Sequence, residues 1–265
     1  MKTLHFIAGL PRSGSTVIGN ILKQNPSVHS ESVSSLCTVF NSIFMNWDDV
    51  EANKEYPNEQ AKRDVLESVL YGYYKSNSKS IIFDKDRVWI SRISLLEEIL
   101  QRKIKMLICV RNPAEIIASF ERIRRNNPIK TTLTDYTLSV KSTIASRAFF
   151  YASPEGSLGL AHSLLKDACF SGYLDRFLFV DYNKFCNSPR GQLQRIYDFF
   201  ELPRFEHDLV NIEQTEVYNS MLAERLPGLH KIKPKLIKST INCVEYLGLD
   251  LYEQYNREIF WNAWI

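Results

Sequence analysis

The stretch Leu4-His5-Phe6-Ile7-Ala8-Gly9-Leu10-Pro11-Arg12-Ser13-Gly14-Ser15-Thr16, followed by Val17-Ile18-Gly19-Asn20-Ile21-Leu22-Lys23, limits what this chain can fold into more than any other. A short, mostly apolar run, a Gly/Pro/Ser turn, and apolar residues at 17, 18, 21 and 22 read as buried strand, tight loop and helix. The unpaired amides of the first helical turn face such a loop. Aligned peptide dipoles add partial positive charge there, so a phosphate or sulfate is its natural guest.

Strand and helix signals alternate along the rest of the chain. A short strand over 28–33 leads into a helix through about 46, and the polar run 48–58 reads as a connecting loop. Apolar spacing predicts a helix over 59–75, a strand over 79–84, a helix over 88–101 and a strand over 104–110. Asn112-Pro113-Ala114-Glu115 then has the form of a helix start, with Asn as cap, Pro at the first position and Glu in the first turn. That helix is expected to reach about 125, with further helices over 134–151 and 158–170, a strand over 177–180 and a helix over 191–200. No period holds from 206 to 234, and closing helices are expected over 239–247 and 251–264. This pattern predicts an α/β fold whose mostly parallel central sheet is flanked by helices on both faces. Ligands of such sheets gather beyond the carboxyl ends of the strands, where the glycine loop, Lys85, Arg111 and Tyr182 all fall.

A length of 265 residues suits one α/β unit, so 1–265 is expected to form a single domain. The net charge of +3 suggests no polyanionic partner, and the Arg122, Arg124 and Arg125 group reads as a solvated face rather than a nucleic-acid surface. Five cysteines, at 37, 109, 169, 186 and 243, form no CxxC pair and read as reduced, mostly buried thiols. The apolar run before the first loop is marginal for a signal segment, and no window is long and apolar enough for a membrane span. A cytoplasmic protein with no membrane partner is the expectation.

Gly9-x4-Gly14 followed by Ser15-Thr16 has the spacing of an ATP- or GTP-binding P-loop with one departure: Ser15 stands where the motif has Lys. That lysine neutralises the β- and γ-phosphates of a triphosphate. Here the cation sits inside the loop instead, at Arg12. Pro11-Arg12-Ser13-Gly14-Ser15-Thr16 after an N-terminal strand resembles the 5′-phosphosulfate loop of sulfotransferases that use 3′-phosphoadenosine 5′-phosphosulfate (PAPS). The resemblance covers residues 4 to about 203, more loosely to 234, and is nearer to the tyrosylprotein and bacterial enzymes than to the cytosolic small-phenol type. The Arg-Lys-Gly-x-x-Gly-Asp-Trp-Lys segment and the Lys-x3-Thr-Val-x3-Glu dimer segment of the latter are absent.

This resemblance implies a P-loop NTPase-like sulfotransferase fold, PAPS as donor co-substrate and no metal. Residues 11 to 16 would hold the phosphosulfate with amides and with the hydroxyls of Ser13, Ser15 and Thr16, and Arg12 would reach the sulfuryl oxygens. Arg111 at a strand end and Ser119 eight positions on are similar to the family's 3′-phosphate pattern. Lys85, in Phe83-Asp84-Lys85-Asp86-Arg87, matches the lysine that donates to the leaving oxygen, with Arg87 its local competitor. Tyr182 matches a tyrosine near the nucleotide. His230 and Lys231 occupy the place where relatives close a basic loop over the donor. For the base, Glu31 lies near the catalytic Glu of tyrosylprotein-type enzymes, although equal-length matching puts that Glu at Val33; His29, Glu31 and His230 are all eligible. His5, inside the first strand, reads as packed.

The implied reaction moves a sulfuryl group to a hydroxyl or amine of a small-molecule, glycan or peptide acceptor. The alternatives are a P-loop kinase using ATP and magnesium, with Asp84 or Asp86 as metal ligand, and a non-catalytic nucleotide-binding module. Neither the acceptor nor the oligomeric state can be read from these residues.

Overall fold

A computed structural model of the chain describes residues 2–32, 34–128, 142–213, 232–257 and 259–265. Five strands, β1 (Thr3–Gly9), β2 (Val28–Ser30), β3 (Ile81–Lys85), β4 (Met106–Val110) and β5 (Phe177–Asp181), form one sheet in the order β2-β3-β1-β4-β5. Every pairing is parallel. All five carboxyl ends therefore open on the same edge. Ile7 lies beside Lys85, Gly9 beside Cys109, and Val110 beside Asp181.

The central strands are buried on both faces, and their alternation divides the core. Leu4, Phe6 and Ala8 of β1 join Met106, Ile108 and Val110 of β4 on one face, while Ile7, Leu107 and Cys109 belong to the other. The second face is covered by α1 (Ser15–Leu22) through Ile18, Ile21 and Leu22. The first is covered by α2 (Leu36–Asn46), then, after a short α3 (Glu51–Glu55), by α4 (Glu59–Tyr73), α5 (Ile93–Leu100) and α6 (Pro113–Asn126). It also receives α7 (Ile144–Ala152) and α8 (Ser157–Ala168). Two further helices, α9 (Tyr182–Asn187) and α10 (Pro189–Phe200), follow β5, and α10 packs beside α1 with Leu193, Ile196, Tyr197 and Phe200. The chain closes with α11 (Cys243–Leu247), α12 (Leu249–Tyr255) and a 3-10 turn over Phe260–Trp264.

Most expected elements stand close to their sequence positions. The run expected as a loop before α4 is instead partly helical, with a 3-10 turn at Trp47–Asp49 and then α3, where acidic residues stand in each first turn and favour the helix dipole. The helix expected over 88–101 begins as a 3-10 stretch, Arg87–Arg92, entered through Asp86, whose side chain accepts from the Val88 amide. The helix start at Asn112 is as expected: its side chain caps Ala114 N–H at 2.9 Å and Pro113 holds the first position. His5 is packed, its ring 4.7 Å from that of Phe200 and 5.2 Å from that of Phe83, and burial holds its imidazole down to about 3. No helix among the described residues is long and apolar enough to cross a membrane.

One buried ion pair fastens the helices that flank the site. Arg147 of α7 donates through Nε and Nη2 to the two carboxylate oxygens of Glu121 on α6, each at 2.7 Å, and Glu121 is wholly inaccessible. Removing one partner leaves a buried charge without its counter-ion. Glu121→Ala is therefore expected to lower the unfolding free energy by about 3–5 kcal/mol in a denaturant titration, while E121L/R147M costs far less.

Candidate functional site

The loop between β1 and α1 is shaped by two residues in the left-handed region. β1 ends at Gly9, where a Cβ would lie 2.1 Å from the Cys109 carbonyl oxygen, and that oxygen accepts from Leu10 N–H at 2.8 Å. Only glycine lets the two strands approach so closely. Arg12 (φ 58°) and Gly14 (φ 86°) then reverse the chain twice, and Ser13 Oγ donates to the Leu10 carbonyl across the turn. Gly14 adopts this conformation freely, whereas Arg12 carries strain of order ~1 kcal/mol, the kind of backbone cost that concentrates at ligand sites. No side chain caps α1, and no acidic residue stands in its first turn. Its dipole thus puts partial positive charge at this turn, which favours an anion.

Cations from three elements converge on this loop. Arg12 Nε donates to Ser119 Oγ at 3.2 Å, joining the loop to α6. Arg111, just beyond β4, donates to the Arg12 carbonyl through Nη1 at 3.3 Å, to Glu115 Oε2 through Nε at 2.7 Å, and to the Ser239 carbonyl through Nη2 at 3.0 Å. A guanidinium has five N–H donors. Two of Arg111's are therefore left over by the described residues. Arg122, one turn beyond Ser119 on α6, donates to Ser239 Oγ at 2.8 Å. Burial first, then the charges of Arg111 and Arg122, pull the Arg12 guanidinium down to about 10. Of these three arginines, Arg111 pairs with a carboxylate, that of Glu115.

Tyr182 holds the two halves of the cluster at a fixed spacing. Its ring lies under Gly14 so closely that a Cβ there would stand 2.6 Å from Cδ2, and Arg111 lies over the ring at 4.4 Å from its centroid. Its hydroxyl accepts from Ser239 N–H at 2.8 Å. Tyr182 is the first residue of α9, and Asn183 beside it donates to the other Glu115 oxygen at 2.9 Å.

On the other side of the loop, Lys85 closes β3 and donates from Nζ to Thr16 Oγ1 at 3.0 Å. Burial is the main reason its ammonium is held down to about 8; Cys109 and Asp86 act against this, and Arg87 and Arg12 act with it. Asn20 Nδ2 bridges the Thr16 carbonyl at 2.8 Å and Ser32 Oγ at 3.3 Å, so the segment after β2 is tied to the same loop. On that segment Glu31 Oε1 stands 3.1 Å from His29 Nε2, with the Glu31 side chain 38% exposed. Asp84 turns away into the core, where Tyr74 and Trp89 donate to its two oxygens, and Asp86 caps the following turn. Among the described residues no three His, Cys, Asp or Glu side chains gather as metal ligands.

Of the sequence-derived site residues, the structure brings Arg12, Ser13, Gly14, Thr16, Arg111, Ser119, Tyr182 and Lys85 together around one loop, with Pro11 inside it and Ser15 opening α1. Glu31 is joined to them through Ser32 and Asn20. His230, Lys231 and Val33 lie outside the described residues. Arg12 rather than Arg111 hydrogen-bonds to Ser119. Arg122 and Ser239 escaped the sequence reading. Arg122 had a usable signal, since three residues after Ser119 it shares the same helix face. Ser239 had none. Nor are Arg122 and Arg125 a purely solvated face: Arg122 binds Ser239 and Thr240, and Arg125 donates to the Tyr246 carbonyl at 2.9 Å.

A family model described as a sulfotransferase domain matches residues 2–241. No curated protein matches the chain. Among solved structures, the sulfotransferase domain of the Synechococcus PCC 7002 olefin synthase aligns with a TM-score of 0.51 at 19% identity, covering 96% of this chain and 94% of that one. A retinol dehydratase solved with retinol and PAP aligns at 0.52 and 16%, covering 98% and 81%. The sulfotransferase STF9 of Mycobacterium avium aligns at 0.51 and 14%, covering 96% and 76%. At these identities the likeness is one of fold.

The depressed Lys85 ammonium gives the loop a pH dependence of known sign. The cation is present below about 8 and lost above it, so an anion at Thr16 loses its nearest ammonium as pH rises. Inorganic sulfate, titrated calorimetrically, is expected to weaken by up to about tenfold per pH unit above 8. Lys85→Met is expected to flatten that slope.

Proposed function

Because the chain belongs to the sulfotransferase domain family, matched over residues 2–241, we propose that it transfers a sulfuryl group from PAPS to a hydroxyl or amine of a small-molecule, glycan or peptide acceptor, as one catalytic unit. The observation that carries this reading is the meeting of Arg12, Arg111 and Arg122 at an uncapped helix start, with Glu115 paired to Arg111. Such a cluster suits a ligand with two separated anionic ends. The fold likeness to a retinol dehydratase solved with PAP, the desulfated form of PAPS, points to the same nucleotide.

In this reading the amides and hydroxyls of residues 11–16 hold the 5′-phosphosulfate. The remaining Arg111 donors, with Ser119 and Arg122 beside them, hold the 3′-phosphate. As the acceptor oxygen or nitrogen bonds to sulfur, the bond from sulfur to the bridging oxygen breaks and its electron pair stays on the 5′-phosphate. Lys85, beside Thr16, donates to that oxygen as charge develops on it. Fixed cations aimed at developing charge supply the electrostatic stabilisation of the transition state. Glu31 takes the acceptor proton, with His29 at its carboxylate. His230 and Lys231 complete the reading as donor contacts. Tyr182 acts by position, as the wedge between Gly14 and Arg111. The five unpaired cysteines fit a reducing compartment, and the cytoplasm is the proposed location.

Calorimetry with PAP in magnesium-free buffer tests this function. Micromolar binding is expected, weakened about 100-fold in Arg12→Ala and Arg111→Ala, as for loss of one side of a buried charge-assisted contact. Absence of PAP binding, or binding only of ATP with magnesium, overturns it. PAP binding without turnover of PAPS on any of a panel of phenols, alcohols and amines favours the non-catalytic module.

A further inference from the structure

The segment that follows β2 lies against four elements. Glu31 meets His29 of β2 at 3.1 Å, and Ser32 accepts from Asn20 of α1. Ser34 lies beside Asp84 of β3, and Ser35 hydrogen-bonds to Tyr73 of α4 at 3.0 Å. Asp84 stands out among these anchors. It is 1% exposed, and no Lys or Arg pairs with it among the described residues. Three neutral donor groups from separate segments surround it: the Tyr74 hydroxyl at the end of α4 and Trp89 Nε1 in the 3-10 stretch after β3 donate to its oxygens, and the Ser34 hydroxyl lies beside them. The Tyr74 ring in turn lies edge-on to His29, with centroids 5.4 Å apart.

A buried carboxylate is costly, and an apolar side chain would fill the same space more cheaply. Burial indeed pushes the Asp84 carboxyl up, and the three donors only partly restore the charged form. The chain nevertheless places this group next to Lys85, on the opposite face of β3, where its bonds settle the Glu31 segment on one side while Lys85 engages Thr16 on the other. We propose that Asp84 is a positioning residue for the transfer reaction: through Tyr74, whose ring lies against His29 and whose neighbour Tyr73 bonds Ser35, it holds the Glu31 segment in register with the Lys85–Thr16 pair. This rests on the function proposed above, with Glu31 as the base.

Hydrogen exchange read by mass spectrometry on the full chain decides the matter. In Asp84→Asn, which keeps the shape but replaces one acceptor oxygen with a donor, amides 30–36 are expected to exchange about tenfold faster, while those of 10–16 stay unchanged and PAP affinity is retained. Tyr74→Phe removes one donor only and is expected to shift the same peptide less; it carries the test if Asp84→Asn does not fold. Release of sulfate from PAPS to water, which needs no acceptor, is expected to fall in kcat with KM for PAPS unchanged. That fall is expected to vanish when Asp84→Asn is made on top of Glu31→Gln. Exchange unchanged at 30–36, or raised uniformly over all strands, overturns the proposal. Failure of the wild-type chain to bind PAP removes the function itself, which is a separate result.

Discussion

Repulsion among three guanidiniums is the constraint around which this site is arranged. Arg12, Arg111 and Arg122 come from the loop, from the end of β4 and from α6, and Glu115 pairs with Arg111 among them. The cost is visible in Arg12, which is partly buried and pulled down to about 10. Carbonyl oxygens and serine hydroxyls, which carry no full charge, satisfy most of the geometry. A polyanion would relieve the repulsion, and its binding would stabilise the fold by mass action.

The scaffold keeps these groups from moving apart. Parallel pairing delivers every strand's carboxyl end to one edge, and the glycine at the end of β1 lets that strand lie against the Cys109 carbonyl. Tyr182 then sets the distance between loop and cation, with Gly14 on one side of its ring and Arg111 on the other. Ser239 ties Tyr182, Arg111 and Arg122 to the C-terminal segment. A site assembled from five separate stretches thus behaves as one hydrogen-bonded unit.

Much of this was legible in the sequence because it is written in local chemistry. The apolar strand before Gly9, the turn at Pro11 to Gly14, and the cap, proline and acid at Asn112, Pro113 and Glu115 each have a short-range cause. The parallel pairing follows from alternating strand and helix. Other features depend on partners distant in sequence. Arg12 in a left-handed conformation bonded to Ser119, Tyr182 as a wedge, and Ser239 as a tether have no local signature. Asp84 is the clearest case: beside Lys85 it reads as part of a charged turn, and only tertiary packing with Tyr74 and Trp89 turns it into the core.

The central claim is that the loop and the end of β4 grip opposite ends of a single molecule. A crystal structure of the chain with PAP measures this directly. The account predicts one PAP whose 5′-phosphate lies against residues 11–16 and whose 3′-phosphate lies about 3 Å from an Arg111 guanidinium nitrogen. A PAP that touches the loop while Arg111 keeps only its present partners, or that binds elsewhere, would contradict it.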